Sequence, residues 1–160
     1  MASENHLSKV DAFEDLFVSH HEGKVVQLTG YCHKLRINKT MIFIVLRSRS
    51  ETIQLICFKK DYPEVFNKLN TLTTESTINI TGKVVKASVK SCSVTNYEIQ
   101  INDVTIISIS SELPFSIDDA NETSFTGKVN EQDINDRNNV GQYTRLESRW
   151  LDMRTDTFYK

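Results

Sequence analysis

Phe43 and Gln54 lie in a stretch that also holds Arg36, Arg47 and Arg49, a combination that can grip a strand of nucleic acid. An aromatic ring gives a platform on which any base stacks, and neighbouring arginines track a phosphate backbone. A glutamine amide carries a donor and an acceptor side by side, so it complements a base edge presenting the opposite pair. Between Lys34 and Lys60 seven basic residues (34, 36, 39, 47, 49, 59, 60) face Glu51 alone, so the overall balance of 19 basic to 21 acidic residues conceals a basic first half. The same residues admit blander roles. A basic run is commonly a solvated face, and a strand glutamine is commonly just hydrated. The unbroken Met-Ile-Phe-Ile-Val-Leu of residues 41–46 also suits a strand buried on both sides, with Phe43 in the core.

Catalytic chemistry finds less to work with. Cys32 and His33 are adjacent on a strand pattern, so their side chains point to opposite faces and form neither a nucleophile–base pair nor a chelate. His20 and His21 fall in a polar loop without a patterned carboxylate, and no phosphate-cradling glycine motif occurs. No catalytic residue, metal site or cofactor site is therefore expected within this chain. Cys32, Cys57 and Cys92 are odd in number and widely spaced, which fits neither a disulfide framework nor a zinc ribbon and points to a reducing cytoplasm. The opening Met-Ala-Ser-Glu-Asn-His lacks a signal-peptide pattern and no apolar run reaches membrane-span length, so a membrane partner is not expected. The Asn-x-Thr matches at Asn38, Asn79 and Asn121 are then chance.

The elements that must position Phe43 and Gln54 follow from periodicity. Val10, Phe13, Leu16 and Phe17 have helical spacing, predicting a short docking helix from Ser8 to Val18 within an extension of residues 1–22. From Val25 the period becomes two, with Val26, Leu28, Gly30 and Cys32 on one face. Second and third strands, 41–47 and 51–59, are joined by a tight turn at 48–50. Ile42, Ile44 and Leu46 share one face of the second, leaving Met41, Phe43, Val45 and Arg47 opposite, and Ile53, Leu55 and Cys57 do the same on the third, leaving Thr52, Gln54, Ile56 and Phe58. Asp61-Tyr-Pro63 caps a helix of about ten residues with Val65, Phe66, Leu69 and Leu72 on one face. A fourth strand spans 76–87 and a fifth 94–109, the latter kinked near Asn102-Asp103. Gly30 and Gly82 each follow a threonine among alternating aliphatics, as where a small barrel must bend. Three strands, a helix and two strands make an all-β, five-stranded Greek-key barrel, the OB-fold, over residues 23–110. Residues 111–160 read as a hinge or connector, since Glu112 to Asp136 holds seven acidic residues against Lys128 alone.

Taken in order, Phe43-Ile-Val-Leu-Arg47, Thr52-Ile-Gln54, Glu75 through Val84, Lys90-Ser91, Asn96-Tyr-Glu98-Ile, Leu113-Pro-Phe115 and Arg149-Trp-Leu-Asp-Met-Arg-Thr155 resemble aspartyl-tRNA synthetases of the eukaryotic and archaeal type. The resemblance covers nearly everything from Gly23 onward. It implies an N-terminal OB-fold that holds the tRNA anticodon loop, a hinge, and a class II catalytic domain that uses ATP and Mg2+ to charge tRNA with aspartate in the cytoplasm. The stretch Arg145 to Thr155 is similar to the approach to the first class II motif, so the catalytic residues are expected outside this chain. The full-length enzyme is expected to be a homodimer and the chain alone a monomer. Carried over residue by residue, the resemblance places Phe43 beneath a stacked anticodon base, Gln54 on the central uracil, and Ser91 and Glu98 near the first base. Arg36 and Arg47 join as cations, and Asn38 is expected to take a left-handed turn where the family commonly has glycine. Asparaginyl and lysyl enzymes share the barrel and the central uracil, but Leu-Asp-Met-Arg-Thr and Lys90-Ser91 followed by Asn96-Tyr-Glu98 favour the aspartyl branch. A free-standing single-strand binder is the alternative of another kind, and it has no need of a long acidic connector.

Overall fold

Alternation of aliphatic and polar residues drives the chain into strands that bury every second side chain. In a computed structural model, residues 8–9, 22–122 and 140–155 are described. The elements in order are β1 (Ser8–Lys9), β2 (Val25–Ile37), β3 (Met41–Ser48), β4 (Glu51–Phe58), α1 (Pro63–Leu69), β5 (Thr77–Lys86), β6 (Tyr97–Ser108), α2 (Ile117–Glu122), α3 (Gln142–Glu147) and α4 (Arg149–Asp152). The sheet order is β1-β2-β3-β4-β6-β5, and β5 pairs back onto β2, which closes β2 to β6 into a five-stranded barrel. Only the β4–β6 seam and the short β1–β2 pairing are parallel among the described pairings. This is the OB-fold expected from the element order.

Val26, Leu28, Ile42, Ile44, Leu46, Ile53, Leu55, Ile78, Ile80, Ile99 and Ile101 are buried almost completely inside the barrel. Helix α1 begins on Pro63, where a missing N–H costs nothing, and packs Val65, Phe66 and Leu69 into the same core. The helix is shorter than its apolar spacing suggests, because Leu72 reaches the core from the turn that follows it. At Gly30 and Gly82 strands approach too closely for a side chain. A Cβ on Gly30 would lie 2.6 Å from the Arg47 carbonyl oxygen, and one on Gly82 2.5 Å from that of Gln100.

Three register shifts bend the barrel. Thr81 pairs with Asp103 and Gly82 with Ile101, so Asn102 is an extra residue, at the kink expected from the sequence. A second shift lies between Thr77 and Ile78. The third sets which side chains of β2 face outward: Cys32 pairs with Leu46 and Lys34 with Val45, leaving His33 unopposed. Such an insertion reverses the phase of every residue after it. Arg36, which would otherwise share the inward face of Gly30 and Cys32, is turned outward and pairs with Phe43.

Two expectations need correction. Ser8 and Lys9 are a strand segment parallel to Val26 and Gln27, not the first turn of a helix, and residues 10–18 lie outside the described residues. Asn38 does not adopt a positive φ; the only non-glycine residues that do, among those described, are Arg49 in the β3–β4 turn and Glu75. The β2–β3 turn closes instead with the Asn38 N–H donating to the Met41 carbonyl at 2.9 Å.

The chain divides into two units, 1–111 and 112–160. The second has its own small core of Phe115, Ile117, Ala120 and Leu151. Within it, Asp152 is buried, accepts from Arg145 Nε at 2.6 Å and from Arg149 Nη1 at 3.3 Å, and so ties α3 to α4.

Candidate nucleic-acid interface

The outer face of β2, β3 and β4 forms an open groove of about 620 Å³ lined by His33, Lys34, Leu35, Arg36, Phe43, Val45, Gln54, Thr74 and Ser91. Arg36 and Phe43 are cross-strand partners, and Gln54 stands opposite Val45, one step along the same face from the partner of Phe43. Phe43 is half-buried and lines the groove, outside the cluster of fully buried core residues. Gln54 is also half-buried, while Arg36 and Ser91 are exposed. Gln54 pairs in register with Glu98 across the parallel β4–β6 seam, and its Nε2 donates to Glu98 Oε2 at 2.9 Å. Arg36, Phe43, Gln54, Ser91 and, through Gln54, Glu98 are thus brought together.

Arg47 is not. It lies on the outward phase of β3, as expected, yet only 4% of it is exposed. Its Nη1 and Nη2 donate to Glu75 Oε1 and Oε2 at 2.8 and 2.9 Å, its Cζ stacks 5.5 Å from the Tyr31 ring centroid, and Nη1 also meets His33 Nδ1 at 2.8 Å. A buried fork-to-fork pair of this kind is committed to the protein. The expected contact of Arg47 with nucleic acid is therefore corrected to a structural role, which the pattern of one strand cannot show because Glu75 arrives from 28 residues away. Glu75 holds its place with φ of 64° and a 2.7 Å bond from its N–H to the Cys32 carbonyl.

Residues that sequence reasoning missed hold the β5–β6 loop at the groove's edge. Ser93 Oγ accepts from Thr52 N–H at 2.7 Å and donates to the Thr52 carbonyl at 3.0 Å, while Ser93 N–H donates to Thr52 Oγ1 at 2.9 Å. Val94 N–H adds a bond to the Thr52 carbonyl at 3.1 Å. This latch fixes Ser91, two residues before it, near Gln54, two residues beyond Thr52. Short polar side chains in a loop carry no periodic signal, so the latch is not legible in the sequence.

All three cysteines are buried and free of disulfides. Burial pushes Cys32 up to about 12, with the Glu75 carboxylate adding to the shift, and pushes Cys57 up to about 11, with Asp61 adding. Cys92 is raised by burial against opposing hydrogen bonds from Ser91 and Thr52. Among the described residues no cluster of His, Cys, Asp or Glu is arranged to hold a metal ion, and no helix is long and apolar enough to cross a membrane.

A barrel with an aromatic and an amide on its second and third strands and a cation beside them on the first matches the arrangement by which OB-folds take single strands. The family model for the tRNA anticodon OB-fold nucleic acid binding domain matches residues 22–107. The chain belongs to this tRNA anticodon OB-fold family. Relatives of this anticodon-family chain are aspartyl-tRNA synthetases, as the sequence motifs suggested. It is 31% identical over 140 residues to the aspartate–tRNA(Asp/Asn) ligase of Chlamydia pneumoniae, covering 85% of this chain and 21% of that protein. It is 36% identical over 138 residues to a probable cytoplasmic aspartate–tRNA ligase of Enterocytozoon bieneusi, covering 82% and 28%. The solved aspartyl tRNA synthetase from Entamoeba histolytica superimposes with a TM-score of 0.74 at 26% identity, over 89% of this chain and 32% of that one. The chain thus spans between a fifth and a third of the ligases it matches.

Proposed function

We propose that this chain is the anticodon-binding domain of a cytoplasmic aspartate–tRNA ligase, and that the groove on β2 to β4 receives the anticodon loop. The observation that carries the reading is the convergence of Arg36, Phe43, Gln54 and Ser91 on one groove, with Glu98 bonded to Gln54. Phe43 stacks a base, and Arg36 draws in the phosphate backbone. Gln54 offers an acceptor for the N3–H of a central uracil and a donor for its neighbouring carbonyl. Glu98 accepts the two adjacent donors of guanine at the first position, and Ser91 supports that base from the loop.

Charging of tRNA with aspartate is assigned to a class II catalytic domain, which makes up most of the length of such ligases. ATP and Mg2+ belong to that domain. The groove does not suit them, since no carboxylate and no glycine is among the residues that line it. The homodimer of the whole ligase is assigned to the catalytic domain too, with this chain monomeric by itself. Aspartate and asparagine anticodons, GUC and GUU, share the two bases assigned to Glu98 and Gln54. The groove alone therefore accepts both, in keeping with a relative whose name covers tRNA(Asp/Asn).

The test is fluorescence anisotropy of labelled stem-loops carrying GUC, GUU, UUU or a control without the central uracil, at low fixed salt. Tight binding of GUC and GUU over the other two is expected. A preference for UUU would move the assignment to a lysyl-type domain, and equal binding of all four would leave a nonspecific single-strand binder.

A further inference from the structure

Glu98 does something to Gln54 before any ligand arrives. The two residues are register partners on parallel strands, and the amide nitrogen is 2.9 Å from the carboxylate. A carboxylate can only accept, so the amide must turn its nitrogen toward Glu98 and its carbonyl oxygen away. One N–H is used by this bond. The other N–H and Oε1 make up the edge that Gln54 presents to the groove, and their order along that edge is set by Glu98.

That order decides between pyrimidines. Uracil presents the carbonyl acceptor at position 4 beside the N3–H donor, whereas cytosine presents an amino donor at position 4 beside a bare N3 acceptor. For a base stacked at one place in the groove, an amide turned one way completes two hydrogen bonds with uracil. The same amide sets oxygen lone pairs against N3 of cytosine and N–H against its amino group. A half-turn of the amide reverses the choice. Left alone, a glutamine side chain makes that turn at little cost, because its terminal torsion is broad and two-fold.

We propose that Glu98 is a positioning residue for Gln54, locking the amide in the orientation that takes uracil and rejects cytosine at the base Gln54 meets. This role rests on the anticodon reading above and is separate from any contact Glu98 makes with the first base. Selectivity at the second anticodon position is thus written in two residues on two strands, only one of which touches the base.

The experiment compares the 160-residue chain with its Glu98→Gln variant, titrated with stem-loops that differ only in U or C at the middle position. Each pair is prepared with guanine first and again with an abasic first position, which removes the base Glu98 would itself meet. The wild type is expected to favour uracil roughly ten- to hundredfold, the worth of one good bidentate base contact. Glu98→Gln substitutes a group that can either accept or donate, so the ratio should fall to within about threefold on both series. If the variant binds more weakly yet keeps the full uracil preference, the positioning role is overturned while the anticodon reading stands. If the wild type shows no preference among anticodons, both fall together. The side-chain amide of Gln54 gives a second readout that needs no RNA. In nitrogen-edited NMR of the free protein, one of its two protons should be shifted downfield by the charge-assisted bond and should return to an ordinary position in Glu98→Ala. An amide already at its ordinary position in the wild type would overturn the proposal.

Discussion

In the proposed interface, Phe43 and Gln54 divide the work of recognition between contact area and hydrogen-bond pattern. A stacked ring is indifferent to base identity, so Phe43→Ala should weaken GUC, GUU and UUU loops alike, by about 1–3 kcal/mol in anisotropy titrations. Loss confined to one anticodon would show that Phe43 does more than stack. Arg47 has the residue type and the strand phase of a nucleic-acid contact, but Glu75, His33 and Tyr31 enclose it. Arg47→Ala should therefore destabilise the fold by about 3–5 kcal/mol, because it strands the Glu75 carboxylate in the interior. Replacing both partners with apolar residues of similar volume should recover most of that loss, and urea unfolding of the two variants measures the difference.

At the scale of elements, the groove depends on where strands slip. The extra residue His33 in β2 reverses the phase that Val26, Leu28 and Cys32 establish, and this brings Arg36 alongside Phe43. Alternation in the sequence shows the inward face of β2 up to Cys32 and then loses it, since a register shift is a property of two strands together. Gly82 marks the opposite case, because its position among aliphatics anticipated the register shift there, whereas Gly30 shows a close approach of strands with the shift of β2 falling later, between Cys32 and Lys34. Gly82→Ala should set a methyl group 2.5 Å from both the Gln100 carbonyl oxygen and Ile99 Cγ2. Its expected cost is about 1–3 kcal/mol, seen as a lowered thermal midpoint, and an unchanged midpoint would show that the β5–β6 seam can give way there. The Thr52–Ser93 latch belongs to this scale as well: it fixes the loop bearing Ser91 relative to β4 without entering the groove.

For the whole molecule, charge is unevenly distributed along the chain rather than large, with a net of −2 over 160 residues and seven basic residues between Lys34 and Lys60. Binding in the groove should weaken linearly in a log–log plot against salt, with a slope of about −0.7 for each phosphate neutralised on a single strand. Arg36→Ala should make the slope shallower by about that amount, whereas an unchanged slope would place the backbone away from Arg36. The period of apolar residues was enough to place the five barrel strands, the helix that Pro63 starts, the irregularity at Gly82 and Asn102, and the shared outward face of Met41, Phe43 and Val45. These are local properties, since the period of apolar residues states which side of an element meets the core. The outward turn of Arg36, the enclosure of Arg47, the latch of Ser93 on Thr52 and the bond from Gln54 to Glu98 come from contacts between strands and loops. The partners in those last three pairs lie 28, 41 and 44 residues apart. Barrel closure and register bring them together, and neither is written in the period of any one strand.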